Sequence, residues 1–197
     1  MSKRKTVIKR KTKETEIHLE IDLDNSGEIE ISTQIPFLNH LLCSMAFHGS
    51  FNLLIKGKGD IEVDLHHSIE DTGIVLGSAL YKILSEHDDI ARFGHSIIPM
   101  DDSLSEVVID VCGRSYLVYN VSFPQSHIGV FDTSLLNEFF TGLVGKARIA
   151  LHAHVRYGKN SHHMAESLFK AFGMAIKQAY TQKVTRGGQP STKGLII

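Results

Sequence analysis

Asp64-Leu65-His66-His67-Ser68-Ile69-Glu70 and Asn160-Ser161-His162-His163-Met164-Ala165-Glu166 carry one pattern, His-His-x-x-Glu, twice in a single chain. The copies start 96 residues apart (162 − 66). Upstream of each stands one polar residue in an otherwise apolar stretch. His40 lies 26 residues before the first copy and Glu138 lies 24 before the second. A repeated set of ligand-type residues at a repeated spacing predicts two related halves of one fold, holding two metal ions between them.

The surrounding sequence repeats as well. Alternation over Glu16–Leu23 predicts a strand, Asp24-Asn25-Ser26-Gly27 a turn, and Glu28–Ser32 its hairpin partner. Pro36 opens a helix where proline is tolerated, and Gly49 follows its end. A third strand covers Phe51–Lys58, and a second helix runs from about His66 to Glu86. The second half predicts strands at Ser96–Pro99, Ser105–Val111 and Tyr116–Phe123, a helix over Thr133–Gly145, a strand over Ile149–Arg156 and a helix from Ser161 to about Gln182. The expected fold is α+β, with two duplicated halves. Each is an antiparallel four-stranded sheet with two helices on one face. The boundaries fall at 1–90 and 91–182, with a Gly-, Ser- and Thr-rich tail over 183–197. No Pro/Gly/Ser linker divides the halves, so they are expected to pack as one unit.

Composition narrows the function. The chain has 197 residues, 42% hydrophobic and 22% charged, with a net charge of −1. That balance argues against a strongly basic nucleic-acid binder. The basic opening segment, Lys3 to Lys13, reads as a solvated strand edge or arm. Cys43 and Cys112 sit in apolar company as free thiols. There is no membrane-length apolar run and no secretory leader, so a cytoplasmic location is expected. Histidine, at 12 residues, is the outlier.

On a helix, positions i and i+4 share a face and i and i+3 nearly so, which lets Glu70 sit beside His66 or His67 and Glu166 beside His162 or His163. Adjacent histidines diverge by about 100° around the axis, so each pair is better placed to serve two metals than one. Imidazole nitrogen with carboxylate oxygen suits a first-row divalent ion. Around His40 the helix carries one polar stripe, His40, Ser44 and His48, that must face a metal or ligand. Glu138 gains its interest from equivalence to His40. Glu70, Glu138 and Glu166 would bring three negative charges against four positive, leaving room for an anionic ligand. Arg92, Arg114, Lys170 and Ser191-Thr192-Lys193 have the character of phosphate contacts.

Several runs together resemble the imidazoleglycerol-phosphate dehydratase family. They are Arg10-Lys11-Thr12-Lys13-Glu14-Thr15, Phe37-Leu38-Asn39-His40, Asp64 to Asp71, Pro99-Met100-Asp101, Gly158 to Glu166 and Pro190-Ser191-Thr192-Lys193-Gly194. They span nearly the whole chain in the correct order, and no phosphatase domain precedes them, as in the monofunctional form. The resemblance implies dehydration of D-erythro-imidazole glycerol phosphate to imidazole acetol phosphate in histidine biosynthesis. It implies two manganese ions (Mn2+) per active site and halves of the ribosomal-S5-domain-2-like type. It further implies a homo-oligomer, a 24-mer built from trimers, with sites shared between subunits.

By position the resemblance makes His40, His66, His67, Glu70, His162, His163 and Glu166 metal ligands. Glu138 stands where many members have histidine. Glu14 matches a substrate-contacting glutamate and is the candidate acid/base, with Glu70 and Glu166 the other carboxylates of the catalytic centre. Arg92, Arg114, Lys170, Ser191, Thr192 and Lys193 match substrate or phosphate contacts, the last three making the tail part of the site. His48 closes the stretch that lines the substrate. Two other classes compete: a dinuclear metallohydrolase of a phosphate ester, marked by release of phosphate, and a non-enzymatic metal-organised or RNA-binding assembly, marked by salt-sensitive RNA binding without turnover.

Overall fold

The structure, a computed structural model, describes residues 4–87 and 89–182. The tail carrying Ser191, Thr192 and Lys193 lies outside the described residues. The first half contains strands β1 (Lys5–Lys11), β2 (Thr15–Asp22) and β3 (Ile29–Ser32), helix α1 (Pro36–Gly49), strand β4 (Asn52–Gly59) and helix α2 (His66–Glu86). The second contains β5 (Phe93–Met100), β6 (Ser103–Asp110), β7 (Tyr116–Asn120), a short pair β8 (His127–Ile128) and β9 (Phe131–Asp132), then α3 (Leu135–Ala147), β10 (Ala150–Tyr157) and α4 (Ser161–Ala179).

Strand alternation is faithful to the sequence. Along β2, Thr15, Ile17, Leu19 and Ile21 are buried while Glu16, His18 and Glu20 face outward. Each half forms a four-stranded sheet, in the orders β1-β2-β4-β3 and β5-β6-β10-β7. Two expectations need correction. β2 and β3 are not hairpin partners, because β4 lies between them. The sheets are also not wholly antiparallel: β3 runs parallel to β4, Ile29 opposite Leu53, and β7 parallel to β10, Tyr116 opposite Ala150. The cause is the helix between the paired strands. A β-α-β crossover returns the chain in the same direction, whereas a tight turn reverses it.

Each sheet lays one face on helices of its own half, and the helices of the two halves then pack on each other, α2 against α3 and α1 against α4. The four helices thus form an inner layer between two sheets. The rings of Phe139, Phe140, Phe169 and Phe172 fill its centre, with neighbouring centroids 5.2–5.4 Å apart. The two helix seams share one register. A Cβ at Gly173 of α4 would collide with the carbonyl oxygen of Met45 in α1, and a Cβ at Gly77 of α2 would collide with that of Leu143 in α3. Ser50 and Arg148 cap α1 and α3 in the same left-handed conformation, φ 54° and 55°. No described helix is long and apolar enough to cross a membrane.

Candidate active site

The duplicated motifs open their helices in the same way. Asp64 Oδ1 accepts from the His66 amide at 2.7 Å and Asn160 Oδ1 from the His162 amide at 2.9 Å, each two residues before the first histidine. The His66 and His67 rings lie 6.1 Å apart at 84°, and those of His162 and His163 lie 6.2 Å apart at 87°. Within each pair the imidazoles therefore point to different places, as the helical spacing predicts.

His162 points into the α1–α4 seam. Its Nε2 is 3.3 Å from Glu166 Oε2, and His40 Nε2 is 3.0 Å from the same oxygen. His40, His162 and Glu166 offer three ligand atoms within 4.8 Å of one another, the one such group among the described residues. The other oxygen of Glu166 is occupied: Oε1 accepts from Lys170 Nζ at 2.9 Å and Ser44 Oγ at 3.3 Å. Burial alone would raise the Glu166 carboxyl. The hydrogen bonds and positive charge of Lys170 and His40 outweigh it and bring the pKa down to about 2. His48 lies exposed two turns beyond His40, its pKa pushed down by partial desolvation and by the charge of Lys170. The Phe37 ring packs 5.2 Å from His162 and 5.1 Å from Phe131, so the β8–β9 pair walls this group on one side.

One expectation is overturned here. His40 does not anchor the motif of its own half; it meets the motif of the other half. The seams pair helices across halves, and sequence distance to the nearer motif carries no information about that. By the shared register, Glu138 stands opposite the first motif. It lies one turn before Gly142, whose Cβ position abuts the Glu70 carbonyl oxygen and side chain. On α2, His66 Nε2 is 3.7 Å from Glu70 Oε2. Glu138 is half-buried in the first turn of α3 and joins no group of three ligand atoms among the described residues.

The second histidine of each motif faces away from its seam toward carboxylates. His67 Nδ1 lies 3.1 and 3.2 Å from the two oxygens of Asp60, and its Nε2 is 4.0 Å from Glu14 Oε2. The Asp60 hydrogen bond raises the His67 pKa. His163 Nδ1 is 2.6 Å from Asp102 Oδ1, and its Nε2 is 3.6 Å from Asp101 Oδ2. The His163 bond, then the Lys159 and Asn160 amides, hold Asp102 far below the usual carboxylate range. No sequence pattern marks Asp60, Asp101 and Asp102 as partners of these histidines. Their one signal is chemical: an imidazole that offers one nitrogen to a metal needs an acceptor for the other.

Arg92 and Arg114 are not brought to these histidines. The Arg92 amide donates to Ala179 O at 2.9 Å, at the far end of α4, about 25 Å along the helix from His162. Its guanidinium holds Asp110 at 2.7 Å. Arg114 is exposed in the β6–β7 turn, where the next residue, Ser115, donates to Gly145 O near the end of α3.

On an α+β fold the site gathers imidazoles and carboxylates, a donor set suited to proton transfer and elimination. A family model described as imidazoleglycerol-phosphate dehydratase matches residues 33–176. The dehydratase of Geobacter metallireducens is 47% identical over 191 residues, covering 97% of this chain and 98% of the relative. That of Thermodesulfovibrio yellowstonii is 48% identical, covering 98% of this chain and 100% of the relative. Crystal structures of the dehydratases from Pyrococcus furiosus and Staphylococcus aureus superpose with TM-scores of 0.83 and 0.82 at 37% and 36% identity. They cover 95% and 91% of this chain and 99% of each neighbour. The chain belongs to the imidazoleglycerol-phosphate dehydratase family and is a dehydratase of histidine biosynthesis.

Proposed function

We propose that the chain converts D-erythro-imidazole glycerol phosphate to imidazole acetol phosphate at a centre holding two manganese ions. The observation that carries the metal part is the convergence of His40 Nε2, His162 Nε2 and Glu166 Oε2. Two nitrogens and one oxygen, one of them an anion, suit a first-row divalent ion. His66, His67, Glu70, His163 and Glu138 are the further ligands. Bound there, manganese(II) would supply Lewis acidity toward the substrate imidazole and stabilise the charge that builds up when a proton leaves the neighbouring carbon.

The protein groups do the rest. Glu14 is exposed on the β1–β2 turn and ends 4.0 Å from His67 Nε2, which supports its reading as the acid/base group. It takes the carbon-bound proton, the adjacent hydroxyl departs as water after protonation, and the enol tautomerises to the ketone. Arg92, Arg114, Lys170, Ser191, Thr192 and Lys193 would hold the phosphate end, so that its binding energy orients the reacting carbons. Arg92 lies at the far end of α4 from His162, and Arg114 lies in the β6–β7 turn beside the end of α3. Their placement supports a site completed by a neighbouring subunit, in a 24-mer built from trimers. The free thiols of Cys43 and Cys112 support a cytoplasmic location.

The test is turnover of imidazole glycerol phosphate with manganese(II). The expected result is a steady absorbance gain from enol and ketone, abolished by a chelator and restored by the metal. Release of inorganic phosphate with no such gain would replace dehydration by ester hydrolysis.

A further inference from the structure

We infer that Asp60 and Asp102 are positioning residues that fix His67 and His163 so that each presents Nε2 as its metal-binding atom; this rests on the metal reading above. An imidazole has one acceptor nitrogen per neutral tautomer, and a carboxylate on Nδ1 holds the proton there and leaves the Nε2 lone pair free. His67 Nδ1 meets both Asp60 oxygens at 3.1 and 3.2 Å, and His163 Nδ1 meets Asp102 at 2.6 Å. At the α1–α4 seam it is likewise the Nε2 atoms of His40 and His162 that converge. All four imidazoles would then bind through the same atom.

The two carboxylates do not occupy equivalent places. Asp60 follows β4, while Asp102 lies in the β5–β6 turn, the counterpart of the β1–β2 turn that carries Glu14. The turn after β10 has Gly158-Lys159-Asn160 and no acid, so the second half draws its carboxylate from another loop. One bond to one ring atom, supplied from different loops in the two halves, is not a by-product of the repeat. Its geometry fits a need of the histidine. In the first half this arrangement leaves Glu14 on the open side of His67, free for proton transfer.

The roles separate by experiment. Among the described residues, the Asp60 side chain has His67 as its hydrogen-bond partner, whereas Asp102 also accepts from the amides of Lys159 and Asn160 at the start of α4. Manganese(II) affinity is measured on the metal-free protein through the free-ion electron-spin signal, beside the melting temperature of that apoprotein. Asp60→Ala is expected to weaken manganese binding by about 10–100-fold with an unchanged apoprotein melting temperature. Asp60→Asn, which keeps an acceptor oxygen, should recover most of that loss. Asp102→Ala should weaken the metal to a similar degree and also lower apoprotein melting, with Asp102→Asn intermediate in both. Wild-type affinity in Asp60→Ala and Asp102→Asn, with binding intact in the parent, overturns the positioning role alone. A parent protein that takes up no divalent ion overturns the metal reading and this assignment with it.

Discussion

The α1–α4 and α2–α3 seams are built on one backbone register and carry different charges. Gly173 against Met45 and Gly77 against Leu143 set both pairs of helices at the same stagger. On the first seam Glu166 is 10% exposed at its side chain, and its next turn supplies Lys170 while α1 supplies Ser44. On the second, Glu70 is 41% exposed; its next turn supplies Ile74, and α3 supplies Gly142 where α1 has Ser44. The anchors differ as well, His40 against Glu138. One carboxylate is thus buried and already neutralised by a lysine. The other is more exposed, and by the shared register α3 carries Glu138 where α1 carries His40. A cation at the α2–α3 seam would meet more uncompensated negative charge than one at the α1–α4 seam, so the two metal positions proposed for this fold should differ in affinity.

The acids beside the second histidines extend the contrast, and breaking it should have the largest effect. Glu14 faces His67 Nε2 at 4.0 Å, while Asp101 faces His163 Nε2 at 3.6 Å from a turn where its own φ is +46°. If Glu14 is the base, Glu14→Gln should lower turnover by about 10²–10⁴-fold with manganese content and assembly intact. Asp101→Asn should lower it by at most about tenfold. Steady-state rates on metal-loaded protein decide the point. Equal losses in both would remove the distinction between the two acids, and wild-type turnover in Glu14→Gln would take Glu14 out of the reaction.

The anchors come next in size. Glu138→Ala should weaken one of two manganese equivalents by about 10–100-fold and leave the other unchanged, read by titration with equilibrium dialysis. Glu138→His would give both seams the same anchor, and both equivalents should then bind within about tenfold of the parent. Two unchanged equivalents in Glu138→Ala would mean that Glu138 binds no metal.

Much of this contrast could be read from the chain itself, because a helix writes its own faces into the sequence. The His-His-x-x-Glu pairs and the start of α1 at Pro36 are properties of single elements, and the structure sets both pairs at helix starts and begins α1 at Pro36. Pairing between elements is different. The apolar pattern of α1 records that one face is buried, not that α4 buries it, so it does not tell which motif His40 meets. The alternation in β2 and β3 was equally silent on β4 entering between them. Asp60 and Asp102 were hidden for a further reason: each reaches its histidine from a loop, where no periodicity marks which side chain turns inward.

The smallest expected effect lies at the far end of the α1–α4 seam. Arg4 is 12% exposed and donates to the carbonyl of Tyr180, the C-cap of α4. It also grips Asp24, through Nε at 2.8 Å and its own amide at 2.6 Å. One arginine therefore joins the first half to the last turn of the second. Partial burial would raise the Asp24 carboxyl, but the Arg4 hydrogen bonds and charge outweigh it and the net shift is downward. With the folded pKa below the unfolded one, the unfolded chain binds more protons in the interval between them. The contribution is therefore present in full above the unfolded carboxylate value, near 4. It is lost as pH falls through the folded value. Denaturant midpoints from pH 7 down to 3 should show Asp24→Asn less stable than the parent by about 1 kcal/mol at neutral pH, with the gap closing toward the acid end. The closing gap separates a charge interaction from simple loss of packing. A gap that stays constant across that range would mean that Asp24 acts through packing and neutral hydrogen bonds, and no gap at any pH would mean that Arg4 holds the seam through the Tyr180 carbonyl alone.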